Sequence, residues 1–261
     1  MGAAMEANAA VLRTEALSVR FGGEVAVDRV SAAFFPGTLT AIVGPNGAGK
    51  TTFFNLISGQ IRASAGEVWL KDERITPLSV PARARRGLGR AFQLTNLFPG
   101  LTVLENIRLA VQAEARRDFR LLSLAADHHD LNARSAELLE TVGLNSRAAF
   151  PASALSHGDQ RKLEVALLLA MRPDVFMFDE PTAGMSVDEV PPVLALIAAI
   201  KRARDKVVLL VEHKMDVIRT LADRVIVLHQ GRMVADGAPE AVMALPIVQD
   251  AYLGRAGGDG V

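Results

Sequence analysis

"GPNGAGKT" occupies residues 44–51, directly after the apolar run "TLTAIV" (38–43). The spacing G-x-x-x-x-G-K-[ST] between a strand and a helix is the arrangement by which a backbone loop cradles phosphate. Gly44, Gly47 and Gly49 give the loop the freedom to curl, so that N–H groups converge on phosphate oxygens. Pro45, Asn46 and Ala48 complete the loop. Lys50 supplies a point charge for β- and γ-phosphates, and Thr51 a hydroxyl for Mg²⁺. With Thr52 they open the helix "TTFFNLISG", whose positive dipole end faces the same anion. A glycine-rich turn with an incidental lysine matches the letters but not the strand–loop–helix setting. The stretch reads as a nucleotide-phosphate site in an α/β fold.

The rest of the chain fits that class. Before the loop, "ALSVRFGG" and "VDRVSAAF" alternate β-rich segments with turns, and "GEVWLKDERI" (66–75) reads as two short strands about a "KDE" turn. Residues of roughly 100 to 150 change character: "VLENIRLAVQAEARR" and "NARSAELLETVGL" have helical period. The helix "QRKLEVALLLAMR" then leads into the strand "VFMFDE", a helix through "VLALIAAIKRAR", the strand "KVVLLVEH", a further helix and the strand "RVIVLHQG". Near-continuous apolar strands alternating with helices predict a parallel sheet covered on both faces. A mostly helical insertion interrupts this core.

Composition narrows the classes. The 261 residues, half of them apolar, suffice for a sizeable core. Lys plus Arg and Asp plus Glu number 29 each, so no electrostatic footprint for nucleic acid stands out. The absence of cysteine excludes disulfides and thiolate chemistry and suits a reducing cytosol. Apolar runs such as "VALLLAM" fall short of a membrane span, and "MGAAMEANAA" lacks the pattern of a secretory signal. The expectation is a soluble intracellular protein that can dock onto a membrane partner.

Three further features carry chemistry. "VFMFDEP" ends an apolar strand in adjacent acids, Asp179 and Glu180, which suits a Mg²⁺–phosphate site. Asp179 would hold the metal and Glu180 would polarise the attacking water. His213 ends "VVLLVEH", and strand C-termini of such sheets converge on the ligand crevice. A lone histidine after a strand is more often structural. Gln93 ends "LGRAFQ", within reach of the metal or the water by the same logic. Finally "LSHGD" (155–159) sets Ser156 and Gly158 at a helix mouth like a second anion grip. Asp159, three residues after Ser156, has capping-box spacing.

Together "GPNGAGKT", "FQ" (92–93), "LSHGD", "VFMFDEP", "AGMS" (183–186) and "EH" (212–213) resemble the ATP-binding subunits of ABC transporters, over about residues 12 to 254. The resemblance implies a P-loop NTPase core with a parallel sheet, an antiparallel β-subdomain and a helical subdomain carrying the signature. It divides the chain into a single domain at 11–254, with core and β-subdomain at 11–93 and 160–254, the helical subdomain at about 94–159, and flexible ends at 1–10 and 255–261. Phe21 of "RFGG" would stack on adenine, although a core position suits a phenylalanine equally. Gln93 would contact Mg²⁺ and link the γ-phosphate to the membrane partner. Glu180 would be the catalytic base and His213 the switch residue. Ser156 and Gly158 would close over the ATP held by a second subunit. Ser186 stands where most cassettes carry Asp, and Asp159 where most carry Gln.

"GLGRAFQLTNLFPGLTVLENI", "LLVEHKMDVI" and "VQDAYLG" look, more narrowly, like the branched-chain (hydrophobic) amino acid importers. The urea and short-chain amide importers and the lipopolysaccharide exporters share parts of the pattern. The implied function is an ATP-hydrolysing, Mg²⁺-dependent motor, dimeric with itself or a paralogue. It would sit peripherally on permease subunits at the cytoplasmic face of the inner membrane, and serve a periplasmic solute-binding protein indirectly. A soluble, non-transport ABC ATPase is the alternative.

Overall fold

"LTAIV" at 39–43 is buried at every position because the strand lies inside a six-stranded sheet covered on both faces. The structure, a computed structural model, describes residues 10–91, 97–115 and 129–253. Gln93, and the expectations for residues 1–9 and 255–261, lie outside the described residues.

In chain order the elements begin with Leu12–Phe21 (β1), Glu24–Phe34 (β2), Leu39–Val43 (β3), Lys50–Ser58 (α1), Ala65–Leu70 (β4) and Glu73–Arg74 (β5). Val80–Arg85 (α2), Leu88–Ala91 (β6), Val103–Glu114 (α3), His129–Thr141 (α4) and His157–Ala170 (α5) follow. The chain continues through Val175–Asp179 (β7), Val190–Arg202 (α6), Val207–Val211 (β8), Met215–Leu221 (α7) and Arg224–His229 (β9). Arg232–Gly237 (β10), Pro239–Met243 (α8) and Pro246–Leu253 (α9) complete it.

The large sheet has the order β10-β9-β3-β8-β7-β6 and is parallel except for β10 at one edge. A second, antiparallel sheet has the order β2-β1-β4-β5. Side chains alternate between faces with period two. Val175, Met177, Val207, Leu209 and Val211 join Phe53 and Phe54 of α1 and residues of the small sheet in one core. Phe176, Phe178, Val208 and Leu210 face the opposite way, against α5, α6 and α7. The phosphate-loop helix is thus packed into a core that both sheets share.

A third apolar cluster joins Val103 and Ile107 of α3, Leu138 and Leu139 of α4, and Leu163, Ala166 and Ala170 of α5. Val165 and Leu168 of α5 instead pack on the large sheet. The division expected between residues 159 and 160 therefore falls inside one helix, which belongs to the helical layer and the core together. Among the described residues no helix is long and apolar enough to cross a membrane.

Arg83 of α2 ties the far end of α1 into place. It is buried and donates to the carbonyls of Leu56 and Ile57 in the last turn of α1, as well as to those of Thr76 and Leu78. α1 has no basic residue of its own in that turn, so Arg83 supplies both the charge and the donors the orphan carbonyls need. Burial lowers its pKa to about 10, which leaves it protonated at neutral pH. Arg83→Met should lower the unfolding free energy by about 2–4 kcal/mol in urea titrations, because several buried carbonyls lose their donor at once.

Candidate functional site

The route of the 44–49 loop is set by steric limits. Gly44 has φ 148°, and a Cβ there would lie 2.1 Å from the Leu228 carbonyl oxygen. Gly49, with φ 98°, precedes the first turn of α1, and its Cβ would meet the Ala26 carbonyl oxygen at 2.6 Å. Only glycine fits either position. Lys50 is buried and donates from Nζ to the Gly44 and Pro45 carbonyls at 2.8 and 2.9 Å, which holds its ammonium over the loop. Asn46 to Thr52 line a cavity of about 390 Å³, a volume within the usual range for ligand pockets. Glu24 to Ala26, Glu180 and the Gln230–Gly231 turn close its other walls. Phe21 is 51% exposed at the end of β1, paired in register with Glu24 at the cavity wall, so the core alternative for it falls away.

Parallel pairing carries the other residues to the same edge of the sheet. Asp179 pairs with Val211, and Val211 with Ile42, one residue from the end of β3. Asp179 is buried, and Arg90 of β6 donates to its Oδ2 at 2.7 Å. Burial pushes the Asp179 carboxyl up from the ordinary carboxylate value, and Arg90 pulls it back. Arg90 also donates to Asn55 and Ser58 of α1 at 2.7 and 2.8 Å, so one guanidinium braces the loop helix, β6 and the acid. Thr51 and Asp179 offer hard oxygen donors of the kind Mg²⁺ takes, and the fit is to a metal that shares phosphate oxygens. No cluster of three or more His, Cys, Asp or Glu able to cage a metal occurs among the described residues.

Glu180 follows β7 with φ 50°, a left-handed conformation costly for a side-chain-bearing residue and typical of functional positions. Its N–H donates to the Val211 carbonyl at 2.9 Å, which fixes the turn. His213 stands two residues beyond β8 with Nδ1 4.0 Å from Glu180 Oε1. Between them Glu212 is fully buried. It accepts from the Thr182 hydroxyl and from the N–H groups of His213 and Lys214 at 2.8 and 3.1 Å. Glu212 thereby fastens the histidine turn to the segment after Glu180. The sequence marks neither Glu212 nor Arg90 as functional: "EH" points only to its histidine, and Arg90 sits unmarked before "FQ".

Ser156 and Gly158 do not line the cavity. Ser156 caps α5, accepting from the Asp159 N–H at 3.2 Å. The Asp159 carboxylate pairs with Lys162 at 2.8 Å instead of completing a capping box. Ser186 donates from its N–H and hydroxyl to Glu189.

Residues 27–183 match the family model described as "ABC transporter". The chain is 36% identical over 251 residues to the high-affinity branched-chain amino acid transport ATP-binding protein LivG of Escherichia coli (strain K12), covering 94% of this chain and 98% of that protein. It is 35% identical, with the same coverage, to the corresponding protein BraF of Pseudomonas aeruginosa. The solved ADP conformation of MJ1267, an ATP-binding cassette of an ABC transporter, superposes with a TM-score of 0.80 at 26% identity, over 94% of this chain and 99% of that one.

Removing Arg90 should expose the charge balance at Asp179. In Arg90→Gln the buried acid binds its proton in the folded state well above the unfolded value of about 3.9. The folded state then holds more protons than the unfolded chain above that value, so stability falls as pH rises. Urea unfolding should show a loss of about 3–5 kcal/mol at pH 8 and a clearly smaller one at pH 5.

Proposed function

The chain belongs to the ABC transporter family as an ATP-hydrolysing, ATP-binding subunit, and from that premise we propose that it drives import of branched-chain or other hydrophobic amino acids. In this reading two cassettes pair head to tail on integral-membrane permease subunits, at the cytoplasmic face of the inner membrane, and the permease receives its solute from a periplasmic binding protein. The observation that carries the solute class is the likeness to LivG along nearly the whole of both chains. The division of the phosphate-binding residues supports the pairing. The 44–52 loop lines one cavity, while Ser156 and Gly158 lie outside it, as two half-sites completed by a second chain would require.

Within each site Phe21 stacks on the adenine, and Lys50 with the loop N–H groups holds the β- and γ-phosphates. Thr51 and Asp179, with Gln93, would hold Mg²⁺, which when bound neutralises charge on the β- and γ-oxygens. Glu180 takes the proton of the attacking water, and His213 steadies the γ-phosphate. The strained turn at residue 180 and the anchoring of the His213 turn by Glu212 support those roles, since the first fixes a side chain on the cavity wall and the second holds His213 4.0 Å from it. Ser156 and Gly158 donate to the γ-phosphate held by the partner.

Glu180→Gln should retain ATP binding and slow hydrolysis by about 100-fold or more in single-turnover assays, as removal of a general base does. Turnover equal to the parent's would take the base role from Glu180. Cells whose only copy carries this substitution should also lose uptake of labelled leucine; unaltered uptake would overturn the assigned solute class. His213→Ala should reduce hydrolysis by a larger factor than it reduces nucleotide affinity. Equal losses would reassign His213 to a structural part.

A further inference from the structure

The Ser156 hydroxyl and the Gly158 N–H each have one proton to donate. The Glu189 carboxylate takes the second of them and interacts with the first. Gly158 N–H donates to Glu189 Oε1 at 3.1 Å. The Ser156 hydroxyl, whose oxygen accepts from the Asp159 N–H, is the strongest of the contacts that hold the Glu189 carboxyl down at about 2, so it is ionised throughout the physiological range. Oε2 accepts from the Ser186 N–H and hydroxyl at 3.2 and 3.1 Å. The approach is close enough that a Cβ on Gly158 would lie 2.8 Å from the Glu189 Cβ. A negative group with two oxygens therefore sits on the donors at the positive end of α5, a helix of 14 residues.

We propose that Glu189 is an internal stand-in for the partner's γ-phosphate: its carboxylate occupies the Ser156–Gly158 grip in the resting chain and must swing away before a second cassette can close over ATP. This rests on the reading that Ser156 and Gly158 grip the partner's nucleotide. Two anions cannot share the same two protons, and their charges repel at such range. Each closure event therefore breaks the Glu189 contacts first, and the grip engages only against a ligand able to displace a carboxylate. A γ-phosphate, with more charge and more acceptor oxygens, meets that demand. The same carboxylate ties the "AGMS" turn through Ser186, so release of the grip also frees the segment that follows Glu180 and Thr182.

The test is sedimentation of the full chain across a range of ATP concentrations, in a Glu180→Gln background that holds ATP unhydrolysed. Adding Glu189→Gln or Glu189→Ala should lower the ATP concentration for half-dimerisation by about tenfold, since displacement of a charged hydrogen-bond acceptor is no longer needed. Unchanged midpoints in both variants would overturn the proposal. Weaker dimerisation would also overturn it, because a strut that merely shapes the grip weakens closure when removed. Ser156→Ala in the same background separates the two readings. If it leaves an ATP-dependent dimer intact, or if no chain dimerises with ATP, the head-to-tail pairing itself fails, whatever Glu189 does.

Discussion

The backbone at residue 44 passes so near the Leu228 carbonyl that no side chain can stand there. That contact between the end of β3 and the end of β9 forces the chain to turn out of the sheet at once. The turn determines where α1 starts and which way its dipole points. From there the packing follows. Phe53 and Phe54 anchor α1 in the core shared by both sheets, while Arg83 closes its last turn against α2. A larger residue at 44 would have to move β9 or abandon the loop, and with it the direction of every donor aimed at the cavity.

The acids near that edge divide by what restrains them. Asp179 is held by Arg90, Glu212 by one hydroxyl and two N–H groups, and Glu189 by the Ser156–Gly158 grip and Ser186. The lone pairs of a carboxylate so engaged are already shared, and none of these three lines the cavity where a water would attack. Glu180 is different. Its turn carries the strain, its side chain is 43% exposed, and it lies on the cavity wall 4.0 Å from the His213 imidazole. Of the four, Glu180 alone lines the cavity, which is the placement the proposed base role requires.

Much of this was legible in the residues because it depends on local rules. Five-residue apolar strands, the glycine-rich loop and acids at a strand end each signal themselves within a short window, and their order gave the sheet its parallel core. The helical layer was visible as a change of period, but its edge was not. The faces of α5 serve two cores at once, and its one apolar sequence cannot say which residues belong to which. Arg90 and Glu189 were illegible for a related reason. Each acts across tens of residues, Arg90 on Asp179 and Glu189 on Gly158, and nothing beside them in the chain marks the partner. The adjacent acids at 179 and 180 did carry one usable signal: a buried carboxylate demands a cation, and the arginine of "LGRAFQ" lay on a neighbouring strand.

The departures in "LSHGD" and "AGMS" turn out to be connected. Asp159 places a charge near the proposed phosphate grip, at a nominal cost of roughly 0.5–2 kcal/mol for about 8 Å and a dielectric of 20–80. Lys162 takes that charge in a pair one helical turn on, so the grip itself is little disturbed. His157 occupies the first helical position and is exposed, which leaves Ser156 and Gly158 in ordinary capping geometry. Ser186, in place of a fixed negative charge, instead donates a hydroxyl proton to Glu189. An aspartate at 186 would repel that carboxylate across about the same 3 Å, and would favour its displacement from Ser156 and Gly158. A serine at this position and the proposed hold of Glu189 on Ser156 and Gly158 are therefore mutually consistent: Ser186 adds a donor to that carboxylate where an aspartate would oppose it.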